Sequence, residues 1–71
     1  TKNEVKILSY LMNHQGQIVS RDLLMEYLWS TDYFVDDSTL TVNITRLRKK
    51  LEEIGIENVI ETRRGLGYIM P

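Results

Sequence analysis

Apolar positions recur three and four residues apart through most of this chain and alternate over short runs only towards its end. Residues 1–14 carry Val5, Ile7, Leu8, Leu11 and Met12 at helical spacing, and Thr1 with Glu4 fits a capping box. Gly16 marks the stop, and Ile18-Val19 is long enough only for a brief strand. Ser20 is suited to cap a second helix ending near Trp29. Asp22 falls in its first turn, where the helix dipole favours an acid, and Leu23, Leu24, Tyr27 and Leu28 form its apolar face. A polar loop over residues 30–37 follows, with Tyr33 and Phe34 in it. The third helix, residues 38–54, is the longest, with Asp37 or Ser38 to cap it and Gly55 to end it. Its Leu40, Ile44, Leu47 and Leu51 sit four, three and four residues apart, a narrow stripe for the core. Val59-Ile60-Glu61-Thr62-Arg63 reads as a strand, Arg64-Gly65-Leu66-Gly67 as a turn, and Tyr68-Ile69-Met70 as the return strand.

The predicted fold is mainly α with a small β-hairpin, one domain over residues 1–71. Helices two and three make a helix-turn-helix variant and the hairpin makes a wing, so the architecture is a three-helix winged helix-turn-helix. Ile18-Val19 is placed to add a third strand to the sheet. Trp29 and Tyr68 are expected in the core.

Seventy-one residues with 42% hydrophobic content supply one small core. The absence of cysteine excludes disulfides and thiolate metal sites. No run approaches a membrane span and no signal peptide is visible, so the chain reads as cytoplasmic. The net charge of −1 is unlike the usual nucleic-acid footprint. Its distribution matters more. Residues 1–37 hold Lys2, Lys6 and Arg21 against six acids, −3 in all, whereas residues 38–71 hold six cations against four acids, +2 in all. Such polarity orients a domain on a polyanion, although salt-bridged surface helices produce it too.

At about 100° per residue the face of helix three opposite its apolar stripe presents Ser38, Val42, Thr45, Arg46, Lys49 and Glu53. Thr41 and Arg48 lie on one flank, Asn43 and Lys50 on the other. Small, apolar and polar residues beside cations suit a recognition helix. Val42 fits a thymine methyl, Thr41 and Thr45 bases or phosphates, and Arg46 a guanine edge or a phosphate. Lys49 and Lys50 suit phosphates. The alternatives are a solvated helix face laced with ion pairs, and a Val42 packed under the loop or the wing. In the hairpin, Arg63 and Arg64 are adjacent beside two glycines that permit a tight turn. Catalysis lacks residues: His14 is the only histidine and sits at a helix end, and Asp36-Asp37 suit capping better than metal or acid/base work. No cofactor is implied.

The stretches TKNEVKIL, GQIVSRDLLMEYLW, STLTVNITRLRKKLE and IETRRGLGYIM resemble, in order and over nearly the whole chain, the C-terminal DNA-binding domain of OmpR/PhoB-type bacterial response regulators. The resemblance implies that helix three is the recognition helix. Family DNA contacts fall on Thr41, Val42, Thr45, Arg46, Arg48 and Lys49, and in the wing on Thr62 and Arg64. It implies double-stranded DNA as partner, usually as direct repeats bound by a homodimer. It also implies a polymerase contact through loop 30–37 and a sensor histidine kinase acting on a receiver domain. The receiver and an N-terminal β-sheet are not in this sequence, which therefore reads as a fragment. Thr45 stands where some relatives carry a second arginine, so base preference does not transfer. KKLEEIGIENVIETRRGLGYI resembles regulators of Gram-positive bacteria that answer antimicrobial peptides and envelope stress. The competing reading is a winged helix used as a protein-interaction module.

Overall fold

In the computed structural model the described residues are 2–31 and 34–71. The elements run α1 (Lys2–Asn13), β1 (Ile18–Val19), α2 (Arg21–Ser30), α3 (Asp37–Glu53), β2 (Glu61–Arg63) and β3 (Gly67–Ile69). The strands form one antiparallel sheet in the order β1-β3-β2. The expected third strand is thus present, and it pairs with the return strand of the wing: Ile18 faces Ile69 and Val19 faces Tyr68.

The core is the stripe of α3, Leu40, Ile44, Leu47 and Leu51, packed with Ile7 and Leu11 of α1, Leu24, Met25 and Leu28 of α2, and Val19, Val35, Ile60, Tyr68 and Met70. Val5 and Met12 were grouped with the α1 stripe but are exposed. They lie roughly 100° or more round the helix from the centre of the Ile7–Leu11 line. Leu23 is exposed for the same reason, and Met25 takes the buried place on α2. Trp29 is not core: it is half-exposed, its indole N–H donating to Val35 O at 3.0 Å. Tyr68 is core, as expected.

Ser20 caps α2 by accepting from Leu23 N–H at 3.1 Å. The cap of α3 is Asp36, one residue before the expected Asp37 or Ser38. Its carboxylate accepts from Thr39 N–H at 2.8 Å, and that bond holds the carboxyl below the usual range. Thr1, half of the expected capping box, and Tyr33 lie outside the described residues. Glu4, the other half, is buried and receives the Lys50 ammonium at 2.5 Å, joining the start of α1 to the end of α3. Lys50 therefore serves the fold, where the sequence suggested a phosphate contact.

The Glu4 carboxyl is lowered from 4.5 to about 2, and the Lys50 hydrogen bond is the largest cause, acting against the opposing effect of burial. A group depressed on folding contributes stability that is complete above its unfolded value and is lost as pH falls through the folded one. Denaturant midpoints should therefore decline as pH drops from about 4.5 towards 2. In Lys50→Met this acid decline should flatten, with lower stability at neutral pH. Identical pH curves for the two proteins would remove the pair from the account.

Candidate nucleic-acid interface

The outward face of α3 follows from its inward one. With the apolar stripe buried, Ser38, Thr41, Val42, Thr45, Arg46, Lys49 and Glu53 are all exposed. Val42 is 45% exposed, so it does not pack under the loop or the wing. Asn43, assigned to a flank, is buried. The threonines are already hydrogen-bonded to their own helix: Thr41 Oγ1 donates to Asp37 O at 3.2 Å and Thr45 Oγ1 to Thr41 O at 3.0 Å.

The wing is built on a turn in which Leu66 N–H donates to Arg63 O at 2.9 Å. Gly65, third in that turn, has φ +74, the left-handed region open to glycine. Arg64 is thereby carried to the exposed tip. The strand register puts Thr62 beside Tyr68 and Arg63 beside Gly67. Glu61 and Arg63, two residues apart, share a face and pair at 3.1 Å. The ladder begins at Glu61, later than the sequence suggested. Ile60 turns into the core, and its carbonyl accepts from Arg48 Nε at 3.2 Å. Met70 likewise falls outside β3, its carbonyl accepting from Gly16 N–H at 2.7 Å.

The cations divide into two groups. Arg48 is half-buried: besides Ile60 O it donates to Thr62 Oγ1 at 2.6 Å, and its guanidinium lies 5.8 Å from the Tyr68 ring centroid. Arg48 and Thr62 thus meet each other across the seam between α3 and the wing. Arg46, Lys49 and Arg64 are exposed and have no hydrogen bond or ion pair among the described residues. The eight sequence-derived positions therefore resolve into an open set on α3 (Thr41, Val42, Thr45, Arg46 and Lys49), an open wing tip (Arg64) and a clasp joining them (Arg48 and Thr62).

The arrangement can hold a polyanion against α3 and reach it again with the wing. Among the described residues no three His, Cys, Asp or Glu side chains gather. His14 Nδ1 lies 2.8 Å from Tyr10 O and the ring stacks on Tyr10, at the end of α1.

The family model for the C-terminal domain of transcriptional regulatory proteins matches residues 1–70. The chain belongs to that family. Its family is a DNA-binding regulatory one, not a family of enzymes. The chain is 52% identical over 69 residues to the response regulator protein GraR of Staphylococcus aureus, covering 97% of this chain and 31% of that protein. It therefore spans about a third of the curated relatives it matches. Among solved structures it resembles the C-terminal domain of the nisin resistance regulator NsrR, a lantibiotic response regulator. The TM-score is 0.91 with 50% identity over 99% of this chain and 70% of that one. It also resembles the DNA-binding domain of the response regulator AdeR in complex with an intercistronic region, with TM-score 0.86, 31% identity, and coverage of 99% and 70%.

One residue of this transcriptional regulatory domain escaped the sequence reading. Arg21 had been counted only as charge in the acidic half. It opens α2, where the helix dipole disfavours a cation. That misplacement was the available signal, because a cation there needs partners to offset the cost. Its partners lie on α3 and in the wing: Asp37 Oδ1 at 3.1 Å, Asp37 O at 2.6 Å, Thr41 Oγ1 at 2.9 Å and the Tyr68 hydroxyl at 2.6 Å.

Proposed function

We propose that this domain is the sequence-specific DNA-binding output module of a two-component response regulator that controls transcription. The observation that carries the reading is the division of the cations. Of the cations outside α1, where Lys6 donates to Thr31 and Lys2 is exposed, the fold engages Arg21, Arg48, Lys50 and Arg63 and leaves Arg46, Lys49 and Arg64 open. The open ones stand beside the small side chains of one helix face and on the wing tip. In this reading α3 enters the major groove. Thr41, Val42, Thr45 and Arg46 meet base edges, and Lys49 meets phosphate. Arg64 takes backbone or the adjacent minor groove. Arg48 and Thr62 act by holding helix and wing together, with whatever contact their remaining atoms make. AdeR, bound to an intercistronic region, supports the same use of the shared fold.

The parent protein is proposed to be cytoplasmic. Among the described residues no helix is long and apolar enough to cross a membrane. The parent is also proposed to carry a receiver domain addressed by a sensor histidine kinase, and to bind direct repeats as a homodimer. Likeness to GraR and NsrR supports a place in antimicrobial-peptide or envelope-stress responses. A second, protein-directed surface is favoured by loop 30–37. Phe34 is 79% exposed and stacks on the half-exposed Trp29 at 6.0 Å. An aromatic pair of this kind suits a protein such as RNA polymerase better than a phosphate backbone.

Two phosphate-facing cations, Lys49 and Arg64, predict that log affinity for duplex DNA falls with log salt at a slope of roughly −1.8. A fluorescence-anisotropy titration across salt concentrations measures it. A slope near zero, or no binding at low salt, would defeat the reading and favour the protein-interaction module.

A further inference from the structure

We propose that Arg21 is a positioning residue for recognition, locking the wing at a fixed place relative to the N-terminal half of α3. The inference rests on the DNA-binding reading above and adds a residue to which neither sequence pattern nor exposure assigns a role.

Arg21 is the only described side chain hydrogen-bonded to α3 and to the wing at once from a third element. Its Nε and Nη2 grip the first turns of α3 through the Asp37 carboxylate, the Asp37 carbonyl and the Thr41 hydroxyl. Its Nη1 donates to the Tyr68 hydroxyl on β3. The guanidinium also lies 5.9 Å from the Tyr68 ring centroid, and Arg48 approaches the same ring from α3 at 5.8 Å. Tyr68 is thus held by two planar cations, one anchored at each part of the recognition helix: Arg21 near its start and Arg48 past its middle. A rigid fork with several donors can span such a junction, whereas an ammonium cannot make all of these bonds at once. A cleft of about 460 Å³ lined by Ser20, Asp22, Thr62 and Leu66, among others, separates the wing from the start of α2. Since the hairpin borders open space there, the Arg21–Tyr68 contact sets how far the wing tip stands from α3. Arg64 and Arg46 then face one duplex in a fixed relation.

The test is a double-mutant cycle on DNA with Tyr68→Phe, which removes only the hydroxyl, and with Arg21→Lys, which keeps the charge but not the fork. In the wild-type background Arg64→Ala should weaken binding about tenfold. In either variant background the same change should cost no more than about threefold, because the wing no longer reaches its site reliably. In the Arg21→Lys background the salt slope should already be lower by up to about 0.9, the share of the Arg64 contact. An equal Arg64→Ala cost in all backgrounds overturns the proposal, and so does an Arg64→Ala change that still lowers the slope by about 0.9 in the Arg21→Lys background. Amide exchange without DNA gives an independent arm. In Tyr68→Phe the β2 and β3 amides should exchange about tenfold faster while α1 and α3 stay protected. Unchanged exchange also overturns the proposal. Failure of the wild type to bind DNA, with faster exchange still seen in Tyr68→Phe, defeats the functional reading on which the proposal depends, not the Arg21–Tyr68 contact's hold on the wing.

Discussion

Replacing Gly67 by alanine should cost most of the stability of this domain. Gly67 has φ +144, and a Cβ built there would stand 2.1 Å from Val19 O and 2.8 Å from Ser20 Cα. Both neighbours are backbone, so no side chain can rotate away. Relief requires β3 to separate from β1, which breaks the pairing that ties the wing to the rest of the molecule. Backbone strain and overpacking of about 1–3 kcal/mol each give an expected loss of roughly 3–5 kcal/mol. A domain of this size has only about 4–10 kcal/mol in all. Urea denaturation of Gly67→Ala should therefore show a midpoint near zero or a chain unfolded at 25 °C. Gly65 makes the control. Its φ is +74, but a Cβ there meets nothing within 4 Å. Gly65→Ala should cost only about 1–2 kcal/mol, from the left-handed backbone alone. Equal, small losses in both variants would mean that the β1–β3 crossing is not as tight as described.

The second large effect concerns binding. Arg46→Ala should weaken binding to a preferred duplex by about 1–3 kcal/mol and relax discrimination at one base pair, if the guanidinium reads a base edge. Arg64→Ala should weaken binding to all sequences more evenly and reduce the salt slope by about 0.9, the signature of a lost phosphate contact. The difference in kind follows from position. Arg46 stands on the helix face beside Val42 and Thr45, whereas Arg64 stands on the exposed turn tip of the wing. Competition titrations with preferred and scrambled duplexes separate the two patterns. A uniform loss from Arg46→Ala would reassign it to phosphate. Neither substitution should change the thermal midpoint appreciably, because neither side chain has a partner among the described residues.

The parts of the fold carried by short-range periodicity were legible in the sequence. Leu40, Ile44, Leu47 and Leu51 declare the buried side of α3 by spacing alone, and the exposed side follows by rotation. The glycine turn declares the wing, and two branched residues after Gly16 suffice to place β1. What spacing cannot show is contact between distant residues. Arg21 meets Tyr68 across 47 positions and Lys50 meets Glu4 across 46. Nothing in the local pattern distinguishes Lys50, held in an ion pair, from Lys49 beside it, which is open. The same limit explains Arg48. It shares a flank with Thr41 in a helical projection, but its length and the position of β2 bring it to Thr62. Asp36 and Asp37 are chemically equal as caps, and the choice between them depends on where the loop delivers the chain. Trp29, expected in the core, is half-exposed instead, its indole N–H held by the Val35 carbonyl.

The most direct test of the central claim is selection of bound DNA from a random-sequence duplex pool at low and moderate salt, with the recovered sequences read. Enrichment of a discrete motif by the wild-type chain, lost when Arg46 and Arg64 are both replaced by alanine, is the predicted result. Recovery of unenriched DNA would show a charged surface that does not read sequence. Recovery of none at low salt would contradict the claim outright.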